Sequence, residues 1–86
     1  MELENRIQAL IAVGAAVSAN CQPCLQSTVA LAAESGASER EIAEAIEVGK
    51  RVRRGAASKM DKFVFELHPA VPSSATADTG CGCGLI

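Results

Sequence analysis

The sequence predicts an all-α subunit of about four helices that oligomerises and carries an irregular C-terminal tail. Three observations predict it. Large apolar residues recur at helical spacing from Leu3 to Leu67, a helix stop and start signal falls at Gly36 and Ser38, and the composition changes after His68. At 86 residues the chain is one small domain, and a chain this short buries only about 60% of the surface its unfolded form exposes. Sixteen alanines and two aromatic residues, Phe63 and Phe65, mean a core of small side chains, which lets helices pack closely. Residues 1–68 are expected to form the helical domain and residues 69–86 the tail.

The first helix is expected from Leu3 to Ala19, where Leu3, Ile7, Leu10, Ile11, Gly14 and Val17 form one stripe. From Ala9 onward, alanines and Val13 fill the remaining faces. A helix apolar all round needs burial all round, which one small subunit does not supply, so a homo-oligomer is expected. Asn20 reads as the N-cap of a second helix, with Pro23 tolerated in the first turn and an end at Glu34 or Ser35. Gly36 reads as a left-handed C-terminal residue, and Ser38 with Glu41 as a capping box that opens a third helix.

From Glu39 a stripe of Ile42, Ile46, Gly49, Val52, Ala56, Met60, Phe63, Val64 and Leu67 persists for 29 residues, about 43 Å at 1.5 Å per residue. Glu39, Glu41, Glu44 and Glu47 precede Lys50, Arg51, Arg53 and Arg54, as the dipole of a helix ending near Gly55 prefers. A kink or break near Gly55 is therefore expected, with a fourth helix from about Ala57 to Leu67. His68, just before Pro69, marks the exit into a Pro-, Ser- and Gly-rich tail that ends in Cys81-Gly82-Cys83.

Composition excludes several functions. Eight basic against ten acidic side chains, a net charge of -2, leave no basic footprint for nucleic acid, and there is no aromatic stacking platform. The basic run Lys50 to Arg54 reads as a solvated helix end rather than a phosphate site. The uncharged run from Ile7 to Leu25 is broken by Gln8, Gly14, Ser18, Asn20, Gln22 and Pro23, so it is not expected to cross a membrane. Glu2 and Glu4 outnumber Arg6 ahead of it, unlike a secretory signal, and a cytoplasmic location is expected. There, four cysteines point to redox or metal chemistry rather than a permanent disulfide framework.

The main chemical signal is Asn20-Cys21-Gln22-Pro23-Cys24 at a helix start. Two thiols three positions apart on one turn can close into a disulfide. The positive helix end favours a thiolate, most of all at the N-terminal cysteine, Cys21. Spacing alone leaves three readings open: reversible redox, inert packing as small core residues, and metal binding.

Three runs together carry a resemblance: Leu10-Ile11-Ala12-Val13-Gly14-Ala15, then Asn20-Cys21-Gln22-Pro23-Cys24-Leu25, then Ser35-Gly36-Ala37-Ser38-Glu39-Arg40-Glu41-Ile42 with Glu44-Ala45-Ile46. Over residues 7–67 the chain resembles the carboxymuconolactone decarboxylase-like family, in its alkylhydroperoxidase D-like branch. The resemblance implies an all-helical trimer or hexamer in which a CxxC pair reduces peroxides with electrons from a partner dithiol protein and no cofactor. It further implies that Cys24 attacks the peroxide and Cys21 resolves the sulfenic acid, whereas the helix dipole favours Cys21 as the more acidic thiol. The branch's proton relay is missing: its Glu and two His positions fall on Ala9, Pro23 and Thr28. General-base help contributes about 10² to 10⁴-fold, so weak peroxidase activity is expected. His68, the lone histidine, would have to arrive from a neighbouring subunit, and a solvent-facing role is expected instead. Nothing supplies the polar set a multiply charged lactone acid requires.

The function expected is thus thiol-disulfide redox work on a peroxide or disulfide substrate, with Cys21 and Cys24 as the catalytic pair. The alternatives are a soft-metal or metalloid binding protein using Cys21, Cys24, Cys81 and Cys83, or a family member that kept the scaffold without catalysis. In a further variant, Cys81 and Cys83 relay electrons to the CxxC pair, since a linker from Pro69 to Cys81 spans roughly 20 Å.

Overall fold

The computed structural model describes residues 2–70, and among these it is all-helical, with α1 (Asn5–Ser18), α2 (Gln22–Glu34) and α3 (Glu39–Leu67). The described residues divide into two units, one ending at Arg53 and one beginning at Arg54. The first holds α1, α2 and the opening turns of α3.

Helices α1 and α2 form an antiparallel hairpin, since a hollow of about 460 Å³ is lined by Asn5 and Gln8 from the start of α1 and by Leu31 and Ser35 from the end of α2. Its core is small, as expected: Ala9, Val13, Ala16, Val17 and Ala32 are buried, and Val13 is the largest side chain fully enclosed. Leu10, Leu25, Val29, Ala37, Ile42, Ala45 and Ile46 pack against the cluster of Ala9, Val13 and Ala32.

Both helices of the hairpin end the same way. At the end of α2, Gly36 sits at φ +95°, while the Ala37 and Gly36 N–H groups donate to Ala32 O and Ala33 O at 3.0 and 3.2 Å. This Schellman closure satisfies carbonyls the helix leaves unpaired. At the end of α1, Asn20 sits at φ +57°, and the Cys21 and Asn20 N–H groups donate to Ala16 O and Val17 O at 3.0 and 3.1 Å. Asn20 is therefore the left-handed residue that closes α1, not the N-cap of α2. Asparagine tolerates this conformation better than other side chains with a Cβ.

The capping box of α3 forms as the sequence predicts. Ser38 N–H donates to Glu41 Oε1 and Glu41 N–H donates to Ser38 Oγ, both at 3.0 Å. Ser38→Ala removes one of these bonds and is expected to cost about 1 kcal/mol in urea unfolding.

Within the first unit, α3 runs alongside α1 in the same direction. Arg6 Nη1 donates to Glu41 Oε2 at 2.6 Å at one end, and Arg53 Nη1 donates to Asn20 Oδ1 at 3.1 Å at the other. Between them the backbones meet at two glycines. A Cβ on Gly49 would lie 2.5 Å from Gly14 O and 2.9 Å from Val17 Cβ. Gly49 is accordingly the one buried residue of α3.

The expected break at Gly55 is absent, and with it the separate fourth helix. One glycine costs a helix about 1 kcal/mol, less than opening its ladder, and nothing lies within 4 Å of a Cβ built at Gly55 to force a bend. Lys50 to Arg54 therefore sit inside a helix rather than at its end. Helix α3 stops before Pro69, with His68 N–H donating to Val64 O at 2.9 Å. From Arg54 to Ala70 every described residue is exposed, Met60, Phe63 and Leu67 included.

Candidate redox site

The site begins with the turn between α1 and α2. Because Asn20 closes α1 in the left-handed conformation, Cys21 follows in extended geometry (φ -100°, ψ 98°) and becomes the N-cap of α2. Its Sγ accepts the Cys24 N–H at 3.3 Å, the bond a serine or aspartate oxygen makes at other helix starts. Pro23 occupies the first turn, where its missing N–H costs nothing. The fold thus places sulfur where the helix presents its unpaired N–H groups.

Cys21 and Cys24 are joined by a disulfide, with Cα atoms 5.2 Å apart. Cys21 is half-buried and Cys24 is exposed. The pair is therefore open to a reaction partner on its Cys24 side. Inert burial of both sulfurs, one of the readings spacing left open, does not fit this exposure.

The surroundings are almost without charge. From Ile7 to Ala33 the chain has no acidic, basic or histidine side chain, so the only ionisable residues α1 and α2 carry besides the cysteines are Arg6 and Glu34, both at the far end of the hairpin from the disulfide. The charged group bonded to this end of the hairpin comes from α3: Arg53, through Asn20. Sequence reasoning missed both roles. Asparagine suits an N-cap and a left-handed closure alike, and Arg53 was read as one of a run of solvated bases.

The structure places the residues at the expected relay positions as follows. Ala9 is 2% exposed within the core. Pro23 carries no proton to transfer. Thr28 donates its hydroxyl to Leu25 O at 3.2 Å, on its own helix. His68 is exposed in the second unit. Cys81 and Cys83 lie outside the described residues, and so do the four-cysteine metal site and the tail relay. Among the described residues no three histidine, cysteine or acidic side chains gather as metal ligands, and no helix is long and apolar enough to cross a membrane.

All-helical structure among the described residues, with a disulfide on the first turn of a helix and Cys24 exposed, fits a CxxC redox role. The chain belongs to the carboxymuconolactone decarboxylase family, whose family model matches residues 2–59 and so takes in both cysteines and most of α3. No curated protein and no solved structure gave a match.

Proposed function

We propose that the protein is a thiol-disulfide redox protein of the alkylhydroperoxidase D-like kind, cycling between a Cys21–Cys24 disulfide and the reduced dithiol. The observation that carries this reading is the disulfide itself, seated at a helix N-terminus with Cys24 exposed. In the reducing half, a partner dithiol attacks the exposed Cys24 sulfur, and the S–S electron pair leaves on Cys21. Thiolates of lower pKa leave faster, and the Cys24 N–H and the helix dipole both favour a Cys21 thiolate. The partner's second thiol then displaces Cys24 and becomes the partner's disulfide, leaving both cysteines reduced.

In the oxidising half, the Cys24 thiolate attacks a peroxide oxygen. The O–O bond breaks, the other oxygen leaves as an alcohol after taking a proton, and Cys24 becomes a sulfenic acid. Cys21 attacks that sulfur, water leaves, and the disulfide returns. No side chain matching the relay takes the proton from Cys24, so this half is slow, and a disulfide substrate suits the site better than a peroxide.

Reduced full-length protein given one equivalent of hydrogen peroxide tests the reading. Two thiols per peroxide are expected to disappear, and differential alkylation with peptide mass mapping should place them at Cys21 and Cys24. Oxidation confined to Cys81 and Cys83, or no faster than free cysteine at every site, would refute it.

The same reading includes a homo-oligomer, a trimer or hexamer. Ile11 and Leu31 are 57% and 51% exposed in the lone first unit, and Met60, Phe63 and Leu67 are exposed in the second. Apolar surface on this scale seeks a cover. Light scattering should return a multiple of the 8.8 kDa subunit mass, and a monomer would contradict this part.

A further inference from the structure

Two features of the site are unaccounted for by the redox cycle alone. The first is its lack of local charge, which leaves the dithiol with only a helix dipole to stabilise a thiolate. The second is the Arg53–Asn20 hydrogen bond, which spans from α3 to the residue immediately before Cys21. Arg53 is half-buried and makes no ion pair among the described residues, unlike Lys50 one turn earlier, whose Nζ lies 3.6 Å from Glu47 Oε2. Arg51 and Arg54, its neighbours on α3, are exposed. A guanidinium with five donors and, among the described residues, no carboxylate within ion-pair distance is thus held by a neutral amide on the residue before Cys21.

We propose that Arg53 is a positioning residue for the dithiol. Through Asn20 it holds the turn that makes Cys21 the N-cap, and its cation favours the Cys21 thiolate formed when the disulfide is reduced. The inference rests on the redox reading of Cys21 and Cys24 and adds the group that stands in for the absent relay. It also explains Asn20: the left-handed closure needs glycine or asparagine, and only asparagine offers an oxygen to Arg53. The close contact at Gly14 and Gly49 sets the register that brings Arg53 to that oxygen. The sign is fixed by charge. A cation near a thiol lowers its pKa, so removing Arg53 raises it.

The test is the pH dependence of Cys21 alkylation by iodoacetamide in the full-length Cys24→Ser chain, with Cys81 and Cys83 resolved by peptide mass as internal references. Arg53→Met should move the Cys21 profile to higher pH and slow alkylation about threefold at a fixed pH below the pKa, as expected for loss of a solvent-screened charge. Arg53→Lys, which keeps the charge, should restore most of the rate, which a purely structural role would not predict. Asn20→Gly keeps the left-handed closure and removes only the tether, and should shift the profile in the same direction as Arg53→Met. It also serves should Arg53→Met lose helicity by circular dichroism.

Superimposable profiles for the parent and Asn20→Gly chains, or failure of Arg53→Lys to recover the rate in a folded protein, would overturn the proposal. If the parent dithiol oxidises to its disulfide while these profiles do not move, the inference alone falls. If Cys21 and Cys24 do not form a disulfide on oxidation at all, the redox reading falls with it.

Discussion

Cys24→Ser is expected to reduce peroxide- or disulfide-driven turnover to the uncatalysed level, because it removes the exposed sulfur at which both halves of the cycle begin. Cys21→Ser should stop turnover as completely, but in a different state. Cys24 can then react once with peroxide and, lacking a partner sulfur three residues away, accumulate as sulfenic acid that dimedone traps at Cys24. The contrast separates the roles. Serine cannot act as a soft nucleophile at neutral pH, yet as an N-cap it accepts the helix N–H at least as well as sulfur, so Cys21→Ser should leave stability within about 1 kcal/mol of the parent. Trapping at Cys21 in the Cys24→Ser chain, faster than at Cys24 in the Cys21→Ser chain, would reverse the assignment.

The second large effect concerns the scaffold. Gly49→Val places carbon 2.5 Å from Gly14 O and 2.9 Å from Val17 Cβ, and Gly14 O belongs to a backbone that cannot swing aside. Overpacking of this kind costs about 1–3 kcal/mol, and in a core of five buried hydrophobic residues the upper end is expected. Gly55→Ala reverses the sign. Nothing lies within 4 Å of its Cβ, and alanine is the better helix former by about 1 kcal/mol, so thermal unfolding should move upward. Equal responses at the two glycines would mean that α3 does not cross α1 at Gly49.

Much of this was legible in the sequence because the signals were local. Gly36, Ser38 and Glu41 each have one dominant conformational or hydrogen-bonding use, and the structure places all three in it. The dithiol was legible for the same reason, since a three-residue spacing on a helix determines that the sulfurs can meet. Asn20 was misread because two local conformations compete for asparagine, and the choice depends on how α1 ends. The break expected at Gly55 does not occur, because charge asymmetry along a helix is a weak stop signal and a helix tolerates the small cost of one glycine. Arg53 was invisible for a deeper reason: its partner is 33 residues away, and only the tertiary contacts between α1 and α3, the Gly14–Gly49 approach among them, bring the two together.

The central claim is that Cys21 and Cys24 exchange one pair of electrons reversibly. Full-length protein equilibrated across graded ratios of reduced to oxidised glutathione, with each cysteine mapped by differential alkylation, measures this directly. The account predicts that Cys21 and Cys24 titrate together, as one two-electron couple, within roughly -270 to -120 mV, the span of dithiol oxidoreductases. Two cysteines that titrate independently, or that stay reduced at every ratio, would contradict it.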